Sequence, residues 1–262
     1  MFSKLYQRFS SKKPSIRYGA YPFSMNKSRK FAALLIIAII SSVFPVALHA
    51  QDEDDDEPHG LYLEEKKVFY GGLVAGGNFA QVDGDWFAGY RKMGVNAGAI
   101  VYAQLAKHIA LSLEILYSQK GSRSKLGQYS PRDHSIYIAK YGINLNYAEI
   151  PLMINYFDKR KSHFGLGVSY GRLVSSKETV EIITDTIRNV VTSLDFNGQY
   201  PFKKDAFDFL AGVELHLWKG LFLNIRFQYS LMPIRSQIPP PAYARSDQSN
   251  NLWAVRVMYL LK

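Results

Sequence analysis

The stretch Met93–Gly121, MGVNAGAIVYAQLAKHIALSLEILYSQKG, decides how the rest of the chain is read. At every second residue it holds two apolar runs: Met93, Val95, Ala97, Ala99 and Val101, then Ile109, Leu111, Leu113, Ile115 and Tyr117. Between them stand Gly94, Asn96 and Gly98, and then Ala110, Ser112, Glu114 and Ser118. A period of two puts alternate residues on opposite faces of a strand. Each run has the length of the roughly 9–11 residues that a tilted strand needs to cross a bilayer. The connection 104–108 is short, as a periplasmic turn is. The stretch therefore predicts a membrane-spanning β-hairpin.

Outward from it the same pattern repeats. Residues 68–80 are glycine-rich, with Phe69, Leu73, Ala75 and Phe79 on one face, and 81–92 and 122–135 read as outer loops. Residues 136–157 form one long strand whose apolar residues change parity, from Tyr141, Ile143, Leu145 and Tyr147 to Ile150, Leu152, Ile154 and Tyr156. One extra residue near Ala148, a β-bulge with Pro151 beside it, would keep both sets on the lipid side. Further strands follow at 163–174, 205–217, from 221 to about 230, and 250–262. The connection 175–204 is the longest; its β-branched middle, TVEIITDTIRNVVTSLDF, is able to lengthen the flanking strands beyond the membrane. Short and long connections alternate. The expectation is an all-β fold: an eight-stranded antiparallel up-and-down transmembrane β-barrel with periplasmic termini, in the bacterial outer membrane.

The charge balance supports no nucleic-acid partner. The 262 residues carry a formal charge of +10, but eight of the 32 bases and none of the 22 acids lie in residues 1–50. The remainder is close to neutral, at +2. Residues 1–50 end as a secretory signal does: Lys27, Arg29 and Lys30, an apolar run from Phe31 to Val43, and Ala47-Leu48-His49-Ala50 before Gln51. Either Met1 or Met25 serves as a start in this reading. The expected domains are 1–50 as N-terminal extension and signal peptide, 51–67 as an acidic periplasmic tail, and 68–262 as the barrel. The chain has no Cys, which excludes disulfides and Cys-ligated metal.

The series GGLVAGGNFAQVDG, LSLEILYSQKG, LNYAEIPLMINY and GLGVSYG, over residues 68–262, resembles the PorT-like outer-membrane β-barrel proteins of Bacteroidota. Tyr147-Ala148-Glu149-Ile150-Pro151-Leu152 is the most specific piece. The resemblance implies an eight-stranded barrel, and a role accessory to protein secretion like that of the family's namesake.

Charges that could not face lipid fall on the other parity: Glu114, Lys140, Asp208, Glu214, Arg226 and Arg256. They are expected to form an ion-pair network filling the lumen, which eight strands leave just wide enough for side chains. Folding the hairpins about their turns sets Arg226 opposite Arg256, Glu214 diagonal to Arg226, and Glu114 diagonal to Lys140. The expected function is a non-enzymatic barrel with a closed lumen, embedded in outer-membrane lipid. Its extracellular loops would bind or assemble with another envelope or secretion-system protein. One alternative is a hydrolase with a rim active site, using Asp83 and Asp85 with Asp133 and His134, or His134 with Ser130 or Ser135. The same short strings are ordinary turn chemistry. A second alternative is a narrow solute channel. The six histidines are scattered without ligand spacing, so no cofactor or metal is expected.

Overall fold

The computed structural model describes residues 68–87, 89–131, 133–158, 162–185, 190–194, 200–235 and 244–261. Residues 1–67, where a signal segment and an acidic tail are expected, and the Pro239–Pro241 loop lie outside the described residues. All ten described elements are strands: β1 (Phe69–Asp85), β2 (Lys92–Ala106), β3 (Ile109–Arg123), β4 (Gln128–Tyr129), β5 (Tyr137–Phe157), β6 (His163–Asp185), β7 (Val190–Leu194), β8 (Asp205–Trp218), β9 (Leu221–Ser230) and β10 (Ala244–Leu260).

Eight of them pair antiparallel in a closed ring, β1–β2–β3–β5–β6–β8–β9–β10 and back to β1. Closure satisfies each backbone polar group within the sheet, which a bilayer demands because lipid offers no hydrogen bonds. The two short strands were not anticipated. β4 pairs with β5 alone and β7 with β6 alone, above the ring. β1 runs to Asp85, further than expected; the β-branched middle of 175–204 lengthens β6 to Asp185, as its composition suggested, and β7 returns beside it.

In the lower part of the barrel the two faces follow the parity of the hairpin. Leu73, Val95, Ile115, Ile154, Val213, Val257 and their like are exposed to lipid, while Asn78, Asn96, Glu114, Asn155, Asp208 and Arg256 are buried in the lumen. Glycine serves this packing at Gly76. A methyl group there would lie 2.5 Å from the Cα of Arg256 on the neighbouring strand, and against the carbonyl of Val255.

The bulge expected near Ala148 is absent from β5, which keeps an unbroken register with β3 through that region. Odd residues point inward along the strand from Tyr141 to Phe157. What changes at Ala148 is the surroundings. Below it lipid takes apolar side chains and the lumen takes Glu149 and Asn155. Above it water takes Lys140, Asn144 and Asn146, and the interior becomes a mainly apolar core of Tyr141, Ile143, Leu145 and Tyr147 with Val82, Phe87, Val180, Ile182, Phe202 and Ile234, around the buried ion pair of Arg235 with Glu178. The parity change in the sequence is thus an inversion of polarity where the barrel leaves the membrane. A bulge does sit at this level, but in β6: pairing steps from Asn146–Ser175 to Tyr147–Leu173, leaving Val174 as the extra residue, 65% exposed.

This boundary can be tested because the chain lacks Cys. A nitroxide attached at Ile154→Cys is expected to be relaxed by oxygen dissolved in lipid, and one at Asn144→Cys by an aqueous nickel chelate. Equal accessibility at both positions would place the boundary wrongly.

Candidate functional site in the barrel lumen

Inward-facing residues of seven strands build a column of charge between two mainly apolar seals. The lower seal includes Tyr70, Val74, Ile100, Phe157, Phe222, Met258 and Leu260; the upper is the core above Ala148. Burying charge is costly unless each group is paired and its remaining hydrogen-bonding capacity used. The column meets most of that requirement in three tiers; among the described residues Nε of Arg226 and one carboxylate oxygen of Glu149 have no hydrogen-bond partner.

In the upper tier Lys120 of β3 donates to Asp208 of β8 at 2.7 Å and contacts Glu149 of β5. Gln228 donates to Asp208 at 2.7 Å and to Glu149 at 3.2 Å, and Ser230 donates to Asp208 at 2.8 Å. In the middle tier Glu114 serves two arginines. Arg226 reaches both carboxylate oxygens, one of them at 3.2 Å, and Arg256 donates at 2.9 Å. Arg256 also donates to Asn224 at 2.9 Å and Asn96 at 3.3 Å. In the lower tier Glu214 accepts from Tyr102 at 2.5 Å and Asn224 at 2.5 Å, with Nε2 of His163 2.6 Å away. Asn224 therefore joins the lower tiers, its amide nitrogen on Glu214 and its oxygen on Arg256.

Glu214 is diagonal to Arg226, which pairs with Gly212, as expected; the other partners and the full membership differ from the sequence expectation. Glu114, Asp208, Glu214, Arg226 and Arg256 are all buried in the lumen. Lys140 is not: its side chain is 61% exposed on the outer face above the membrane, 3.1 Å from Glu181 of β6. It was misplaced because the assumed bulge reversed the faces of upper β5. Arg226 is opposite Ala254, and Arg256 opposite Asn224, so the two arginines are diagonal neighbours. Lys120, Glu149, Tyr102 and His163 were missed. Lys120 was within reach of the reading, since it continues the inward series Glu114, Leu116, Ser118.

Residues 67–236 match the family model described as the outer membrane protein beta-barrel domain. The chain belongs to that family. This outer-membrane barrel is similar to several solved structures. One is Ail, the attachment invasion locus protein of Yersinia pestis, in complex with the heparin analogue sucrose octasulfate: 10% identity, 74% of this chain and 100% of that one, TM-score 0.41. Another is Neisserial surface protein A, at 10% identity, 75% and 99% coverage and TM-score 0.40. A third is OprG of Pseudomonas aeruginosa, at 10% identity, 74% and 94% coverage and TM-score 0.34. No curated protein matches the chain in sequence.

The rim residues of this outer-membrane barrel are engaged in strand and turn contacts. Asp83 accepts from Gln81 at 2.9 Å and Asn251 at 3.1 Å. Asp85 is buried, accepting from Ser122 at 2.7 Å and from the backbone of Phe87 at 2.8 Å. Asp133 accepts from the hydroxyl of Ser135 at 2.6 Å and its amide at 3.0 Å, and these bonds hold its carboxyl below the usual carboxylate range. The hydroxyl of Ser130 accepts from the amide of Asp133 at 3.3 Å, and His134 is exposed beside it. This is the geometry of an Asx-type turn. Among the described residues no three His, Cys, Asp or Glu stand together as a metal site.

Proposed function

We propose that this outer-membrane barrel is a non-enzymatic protein with a closed lumen whose extracellular end binds another envelope protein, in a PorT-like role accessory to secretion. The observation that carries the reading is the division of the molecule by polarity. The membrane-level lumen is filled by paired charges, while β5 and β6 rise above the ring with a mainly apolar inner and a polar outer face, and β7 pairs with β6 there. Strand of this length beyond the bilayer serves no need of membrane insertion. It presents surface to the outside. On this reading export uses the signal segment, and the mature chain begins at Gln51.

The test is cross-linking and pull-down from intact outer membranes. Replacing residues 184–196 with a short turn spares Val180 and Ile182 of the upper core and is expected to abolish partner capture, with heat-modifiable migration retained. Capture that survives the replacement defeats the binding reading. A barrel with Asp83, Asp85, Asp133 and His134 all changed to Ala is expected to behave as wild type; loss of a hydrolytic activity present in the wild type would favour the hydrolase. Purified barrel in planar bilayers is expected to show no steady conductance, because paired side chains occupy the path between two mainly apolar seals. A stable open current would favour the channel.

A further inference from the structure

The outer face of the barrel above the membrane carries a group of residues that neither the lumen nor the top of the molecule uses. Arg123, at the end of β3, is exposed and paired in register with Gly142 of β5, which has no side chain to cover it. Lys125 follows, also exposed. Pairing of β5 with β6 shifts between Ile138 and Lys140. That irregularity lets Ile138 and Tyr141 both point inward while Tyr137 and Lys140 share the outer face. Tyr129 of β4 is opposite Tyr137, 54% exposed, with the two rings edge to face at 5.1 Å. Gly127 makes room for this pair: a methyl there would lie 2.5 Å from the Tyr137 hydroxyl. The acids nearby are Glu181, which takes Lys140 at 3.1 Å, and Asp133, which is held by Ser135.

An exposed tyrosine packed on a half-buried one at this height has no bilayer reason. Tyr137 lies some 40 Å of strand beyond Ile150, the last lipid-facing apolar residue of β5, or roughly 30 Å above the apolar band at the usual strand tilt. The face points sideways, along the membrane plane, so what surrounds it is the saccharide of the outer leaflet. Tyrosine rings offer an apolar face to the C–H side of a sugar and a hydroxyl to its oxygens. Arginine and lysine bind phosphate and carboxylate by charge-assisted hydrogen bonds.

We propose that Arg123, Lys125, Tyr129, Tyr137 and Lys140 form a binding face for the acidic saccharide of the glycolipid in the surrounding outer leaflet. The tyrosine pair stacks against sugar rings, and the three cations take the anionic groups on either side. Tyr137 pairs with Ile183 beside the replaced segment, so the variants tell the two surfaces apart: the change at 184–196 keeps all five residues of this face, and the variants below keep 184–196.

The experiment uses the full-length barrel reconstituted in vesicles of neutral phospholipid, with or without glycolipid extracted from the outer membrane of its own source. Glycolipid retained per barrel is counted by mass spectrometry after extraction and gel filtration. Wild type is expected to retain it, and to lose much of it in about 0.5 M salt, where exposed charge pairs are screened. The pairs Arg123→Glu with Lys125→Glu, and Tyr129→Ala with Tyr137→Ala, are each expected to retain about tenfold less, the loss of one or two good contacts. Lys219→Glu reverses one charge, half the change of the double variant, at a periplasmic turn and is expected to retain as much as wild type. Heat-modifiable migration checks folding in every case. The proposal is overturned by undiminished retention in both double variants, by an equal loss with Lys219→Glu, or by tight binding of the lipid-free saccharide with none of the embedded glycolipid retained.

Discussion

Replacing Glu114 with leucine is expected to cost about 3–5 kcal/mol of barrel stability, measured by reversible denaturant unfolding from vesicles. The carboxylate is buried and takes hydrogen bonds from Arg226 and Arg256, which approach it from β9 and β10. Without it two guanidinium groups remain side by side in a low-dielectric lumen. Arg256→Leu is expected to cost less, about 1–3 kcal/mol, because Glu114 keeps Arg226 and the loss is mainly of hydrogen bonds to Asn224 and Asn96. A triple change, Glu114→Leu with Arg226→Met and Arg256→Leu, is expected to recover most of the stability, since apolar groups of similar volume replace a buried triad at little cost. If Glu114→Leu leaves the unfolding midpoint unchanged, the middle tier is not buried as described.

The second large effect separates two lysines. Lys120→Met is expected to cost about 3–5 kcal/mol, because Glu149 and Asp208 would then face each other, buried, without their cation. Lys140→Met is expected to cost about 0–1 kcal/mol, the range of an exposed pair, because water screens its contact with Glu181. The reverse ranking would restore the lumen position that the sequence pattern suggested for Lys140. The comparison therefore tests the polarity inversion on β5 directly, with one chemical change at two sites.

Five of the six charges that the sequence assigns to the lumen are there, and the sixth shows why legibility stops at the membrane surface. Within the bilayer, lipid admits no charge, so parity alone assigns Glu114, Asp208, Glu214, Arg226 and Arg256 to the inside. Lys140 stands on a strand of the same period, but above the lipid band its outer neighbour is water. There the same alternation means the opposite arrangement. Lys120, still on the inward parity of β3, needed only the series to be followed one step past Ser118.

By itself the sequence determined the period-two strands, the short turns at one end and the long connections at the other, and hence a barrel in the outer membrane. These follow from local geometry and from the solvent that each face must meet. Only the tertiary structure decided which charges pair. Glu114 and Arg226 are 112 residues apart, and Glu114 and Arg256 142. Such partners meet across the lumen, a relation that exists only once the ring has closed, whereas alternation and turn length constrain neighbours along and between adjacent strands.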